Sequence, residues 1–156
     1  MKKVLAILLV VVVMALGFAA PALAADLTAN LITDGGDNPT DIGNLTVTYA
    51  SGNFTVEYSI ESPWQIVETH VYIGSQPPAK SSPGRFPYVA GDIKFDVTGL
   101  TKVYIAAHAE VMRDTGTKDI LGNPIYEYET VWAQTGADVR IGKGANWATY
   151  FEFPLP

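Results

Sequence analysis

Between residues 44 and 60 the side chains alternate with a period of two, broken once by a turn, a pattern that an α-helix with one buried face cannot produce. Leu45, Val47 and Tyr49 alternate with Asn44, Thr46 and Thr48. After Ser51-Gly52-Asn53 the pattern resumes with Phe54, Val56, Tyr58 and Ile60. Two such runs joined by a short turn of small polar residues predict a β-hairpin with one apolar face.

The same period recurs downstream. Residues 65–73 place Val67, Thr69, Val71 and Ile73 on one face and Ile66, Glu68, His70 and Tyr72 on the other. Residues 93–97 alternate briefly. Residues 102–112 set Val103, Ile105, Ala107, Ala109 and Val111 against Tyr104, Ala106, His108 and Glu110. Residues 113–124 carry Asp, Gly, Thr and Asn-Pro and are expected to form the tip of a long hairpin returning through 126–133. Trp147, Thr149, Phe151 and Phe153 close the series. Residues 75–88 contain Pro77, Pro78, Pro83 and Pro87, which remove backbone donors, so an ordered surface loop is expected there.

No segment after residue 24 carries an apolar stripe of helical period with capping residues. Seven or eight short strands separated by turns describe an all-β antiparallel sandwich, and an immunoglobulin-like arrangement of two sheets is the expected fold. P-loop and Rossmann glycine patterns are missing from the sequence. Cysteine is missing too, so the apolar core must supply stability that secreted domains often take from disulfides.

The first 24 residues have the layout of a secretory signal peptide. Lys2 and Lys3 precede an apolar run from Val4 to Leu16, and Ala22-Leu23-Ala24 forms an A-x-A exit. Cleavage there leaves residues 25–156 as a single domain, secreted, periplasmic or at the cell surface. Loss of the two leader lysines takes the formal charge from −6 to −8, with eight basic residues set against sixteen acidic ones. Those eight are scattered, so neither a nucleic acid nor, once the leader is cleaved, a membrane surface is an expected partner.

Three constellations are candidates for chemistry. On alternate positions of two strands stand Glu68 and His70, and His108 and Glu110. If those strands are neighbours, two imidazoles and a carboxylate converge, a ligand set for zinc or copper. The same residues also fit a polar outer surface or internal hydrogen bonds, because neither strand has a close paired-ligand motif. Second, Asp34, Asp37 and Asp41 lie around Gly35-Gly36, a composition suited to calcium, although the spacing departs from the D-x-[DN]-x-[DN]-G loop. A solvated turn explains these residues equally well.

Third, Trp64, Trp132 and Trp147 offer either core volume or a sugar-stacking platform. Loop 76–88, with Arg85, Phe86 and Tyr88, is the expected contact surface. Asn44-Leu45-Thr46 and Asn53-Phe54-Thr55 match the N-glycosylation acceptor pattern.

The segments Glu68-Thr69-His70-Val71-Tyr72-Ile73-Gly74, Pro83-Gly84-Arg85-Phe86-Pro87-Tyr88, Ala106-Ala107-His108-Ala109, Glu129-Thr130-Val131-Trp132-Ala133 and Asn146-Trp147-Ala148-Thr149-Tyr150-Phe151 together resemble a family of secreted prokaryotic β-sandwich domains of unassigned function. The resemblance implies a modular extracellular domain and brings no catalytic residue with it. The leading expectation is a non-enzymatic module of the cell envelope or extracellular space that binds a protein or glycan surface. A metal- or small-ligand-binding protein centred on His70 and His108 is the alternative. A glycoside hydrolase-like enzyme using paired carboxylates among Glu68, Glu110 and Glu129 is the third.

Overall fold

In the computed structural model, which describes residues 25–33, 39–142 and 147–156, every strand pairing is antiparallel. The strands are β1 Ala25–Thr33, β2 Asp41–Ala50, β3 Asn53–Ile60, β4 Gln65–Gly74, β5 Gly91–Lys94, β6 Lys102–Lys118, β7 Pro124–Gln134, β8 Val139–Arg140 and β9 Thr149–Pro154, with a 3-10 turn at Pro83–Arg85. Among the described residues nine strands replace the expected seven or eight. The leader lies outside the described residues.

The β2–β3 hairpin forms as the alternation requires. Ser51 and Gly52 both have positive φ, 50° and 85°, the backbone of a two-residue turn whose twist matches that of the flanking strands. Asn53 is already paired with Ala50, so the turn is one residue shorter than its composition suggested.

Sheet order is β5-β3-β2-β1-β7-β6-β9-β8, with β4 also on β6. β6 is the hub. Its residues 104–112 pair with β4 along one edge. Its other edge is therefore shared, with β9 taking residues 102–105 and β7 taking residues from His108 onward.

The sheet folds over on itself, so that Phe54 of β3 meets Phe153 of β9 edge-on at 5.7 Å although their strands are not neighbours. The main apolar core draws Leu31, Leu45, Val71, Val103, Val131 and Phe151 from six different strands. Each such side chain removed from water contributes about 1.5–3 kcal/mol. The sheet is not closed. At its open side Tyr88 bridges to β4, its carbonyl accepting from Val71 N–H at 2.8 Å and its N–H donating to Val71 O at 3.1 Å.

Two strand expectations need correction. Simple alternation placed Val67 with the core residues of β4, but the register shifts between Ile66 and Glu68 and leaves Val67 47% exposed. A bulge adds one residue to one strand, so alternation cannot be carried across it. Residues 113–124 are not all hairpin tip, because β6 runs to Lys118 and β7 starts at Pro124. The Thr115 hydroxyl donates to Ile125 O at 2.8 Å and Asp114 Oδ1 accepts from Gly116 N–H at 2.8 Å, which holds this polar segment in the ladder.

Candidate functional site: the outer face of β4, β6 and β7

The core occupies one face of β4, β6 and β7, and the candidate residues occupy the other. Register sets them in rows. His70 faces His108, which faces Trp132 on its other side; the next row is Glu68, Glu110 and Thr130. Beyond them Met112 lies between Gln65 and Tyr128, and Asp114 faces Tyr126.

The two histidines therefore converge, in unequal environments. Their rings are 5.8 Å apart with planes inclined by 33°. His70 Nε2 is 2.9 Å from Glu68 Oε1, near the surface. His108 is 5% exposed, packs edge-on against Trp132 at 5.0 Å, and has a buried Nδ1 with no hydrogen-bond partner among the described residues.

Burial pushes the His108 pKa down to about 4, helped by the charge of His70 and opposed by Glu68. His108 is thus a neutral imidazole at pH 7. From the core side the Tyr58 hydroxyl donates to His108 O at 3.1 Å and reaches His70 O at 3.5 Å, tying both strands together beneath the histidine row. Burial raises the Tyr58 pKa, so this donor keeps its proton.

Part of this face is covered. Ala106, Trp132, Ile141 and Ala148 form a second buried cluster, joined by Tyr72, Phe86, Trp147 and Tyr150. Phe86 packs on Tyr72 at 5.9 Å and on Trp132 at 6.1 Å. Loop 76–88 thus places Phe86 as a cover over the sheet, where an open contact surface was expected. A period-two pattern marks the outward face of a strand but not the loop that will sit on it.

The tryptophans form no shared platform. Trp132 and Trp147 belong to the second cluster, and Trp64 stacks on the Arg113 guanidinium at 4.6 Å. Arg113 Nε also donates to Glu127 Oε2 at 2.6 Å. The exposed aromatics among the described residues are Tyr126 and Tyr128, at 46% and 62%, which sequence reading did not single out. Their alternation looks like that of any half-buried strand. The difference is that, among the described residues, β1 stops opposite Val131 and β4 ends in the row of Tyr128, so this part of β7 runs at and past the ends of its neighbours.

Glu68 and Glu110 stand directly opposite each other, and Glu110 has no hydrogen bond or ion pair among the described residues. Like charges directly across a ladder are destabilising. Glu110, Tyr128, Glu129 and Thr130 line an open groove of about 380 Å3. Glu129 is paired with Val111 in the intervening register, so it reaches this groove from the core-side alternation.

As the side chains stand, no group of three or more His, Asp or Glu among the described residues is arranged to hold a metal ion. Of the proposed calcium ligands, Asp34 and Asp37 lie outside the described residues, and Asp41 Oδ1 accepts from Gly43 N–H at 3.2 Å in a local turn contact. Asn44 and Asn53 are both exposed. Comparison with family models, characterised proteins and solved structures finds no match.

Proposed function

We propose that this chain is a secreted, non-enzymatic binding module that takes a neutral glycan on the outer face of β4, β6 and β7. The observation that carries this reading is the exposed Tyr128 ring beside the facing carboxylates Glu68 and Glu110, above an open groove. A pyranose ring presents C–H groups that stack on an aromatic face, and its hydroxyls donate to ionised carboxylates in charge-assisted bonds. Thr130 adds a hydroxyl that donates or accepts. The acidic balance of the chain disfavours sulfated or uronic glycans.

The folded-over sheet, with β5-β3-β2-β1 against β4, β6, β7 and β9, supports the immunoglobulin-like sandwich form. Secretion rests on the leader, and the resemblance to secreted prokaryotic domains points the same way.

Native gels cast with xyloglucan, galactomannan or dextran test the reading. At least one polysaccharide should retard the wild-type chain, and Tyr128→Ala or Glu110→Gln should abolish the retardation. Unretarded migration in all three gels contradicts it. Retardation accompanied by release of reducing ends would instead favour hydrolysis with Glu68 and Glu110 as the carboxylate pair.

The unpartnered, buried His108 Nδ1 favours a second reading, in which a rotated His70–His108 pair takes zinc or copper. Elemental analysis of untagged protein decides it. Stoichiometric metal that disappears in a His70→Ala/His108→Ala double variant supports this reading, and metal-free wild-type protein after exposure to either ion rejects it.

A further inference from the structure

The long hairpin outruns the rest of the fold. Among the described residues β4 accompanies β6 only as far as Met112, and β1 accompanies β7 only from Val131. Segments 113–118 and 124–127 therefore make a two-stranded ribbon, about 14 to 20 Å long at roughly 3.4 Å per residue. Its apex carries two large aliphatic side chains, Ile120 fully exposed at 101% and Leu121 at 81%. Single exposed apolar residues are ordinary on protein surfaces. A fully exposed adjacent pair on a projecting apex is not.

The apex backbone is fixed. Asp119 Oδ1 accepts from Leu121 N–H and Asn123 N–H, both at 2.8 Å, and its Oδ2 accepts from Asn123 Nδ2 at 3.0 Å. Gly122 N–H donates to Asp119 O at 3.0 Å, and Asp119 N–H donates to Asn123 O at 2.9 Å. Asp119 thus spends its oxygens on the turn itself, and the two aliphatic side chains project from it into water.

Polarity is graded along the ribbon. Behind the apolar pair comes Lys118, which balances Asp119, so residues 118–123 carry no net charge. Next come Ile125 and Tyr126, 42% and 46% exposed, with Asp114 facing Tyr126, followed by the Arg113–Glu127 ion pair. Apolar apex, then an amine and an aromatic, then charge is the order of environments met on leaving a bilayer. A second copy of the chain is a poorer fit for the apex, because the described grooves are lined chiefly by polar and charged residues.

We propose that the apex is a shallow insertion tip for an electrically neutral lipid surface, with Ile120 and Leu121 entering the acyl boundary and Lys118 and Tyr126 resting at the headgroups. The zero local charge and the acidic chain fit phosphatidylcholine and disfavour anionic lipid, and a neutral lipid surface departs from the sequence-based expectation of no membrane partner. Two aliphatic side chains give weak, reversible attachment, with an association constant of at most about 10⁴ M⁻¹, the scale of one short acyl chain. The proposal is independent of the glycan-binding face.

Because the chain lacks cysteine, Leu121→Cys gives a unique attachment point for an environment-sensitive fluorophore. In the full chain with phosphatidylcholine vesicles, the label should shift to the blue and be quenched by brominated lipid, while a label at Lys80→Cys should not respond. Adding Ile120→Ser should weaken the response at least tenfold. Sedimentation of the unlabelled I120S/L121S variant should likewise show at least a tenfold loss of vesicle binding relative to wild type. A silent label at position 121, an equal response at position 80, or unchanged sedimentation of the variant overturns the proposal. A concentration-dependent dimer lost in I120S/L121S would assign the apex to a second copy and also overturn it.

Discussion

His70 and His108 face each other across β4 and β6 with their rings 5.8 Å apart, yet only His108 is sealed from solvent. Its pKa falls from 6.5 to about 4 on folding. Between those values the unfolded chain binds the proton that the folded chain refuses, so stability drops as pH falls from 6.5 to 4 and is insensitive to this group above that window. The facing groups are His70 and Glu68. Chemical denaturation across pH 4–7 should show wild type losing up to about 3 kcal/mol more than His108→Gln. Parallel pH profiles would mean that His108 is hydrated in the folded protein.

Glu68 and Glu110 repel one another, and only Glu68 has a side-chain partner among the described residues. Glu110→Gln should stabilise the fold by about 0.2–1 kcal/mol, read as a raised denaturation midpoint at unchanged slope. Together with loss of glycan retention, that result would mark Glu110 as a residue kept for binding at a cost in stability. Destabilisation would indicate a structural partner for its carboxylate.

Gly43 pairs with Ile60 in the β2–β3 ladder, and a Cβ at this position would run into the Ser59 carbonyl. Gly43→Ala should cost about 1–3 kcal/mol, because the obstruction is backbone and the paired strand must move. Gly74→Ala meets the Tyr72 ring, a side chain and not backbone, which can shift by giving up its contact with Phe86 and its bond to Gln76 O, and should cost less. Thermal melts of both variants provide the comparison, and equal losses would contradict the argument.

The parts of the fold legible in the sequence are those where alternation is long and the turn chemistry is plain. β2–β3 and the first ten residues of β6 are examples. β1 was missed because Ala25 and Asp26 adjoin the leader exit and its core positions include the small Ala29 beside Leu31. The β4 bulge was missed because Ile66 and Val67 both suit a buried position, so their sequence does not tell which one is displaced.

For the site, alternation put Glu68 with His70 and His108 with Glu110, and register alone made them neighbours. Tyr126 and Tyr128 could not be recognised, since their exposure depends on where β1 and β4 stop. The roof over His108 depends on Phe86, more than twenty residues away in the chain, meeting Trp132.

The most direct measurement of the central claim is a titration of ¹⁵N-labelled protein with oligosaccharides cut from whichever polysaccharide retards it. Amide shifts are predicted to concentrate at Glu68, Glu110, Tyr128 and Thr130 and to leave β2, β3 and β5 unmoved. Shifts centred on those three strands, or spread evenly over the molecule, would contradict binding at the outer face of β4, β6 and β7.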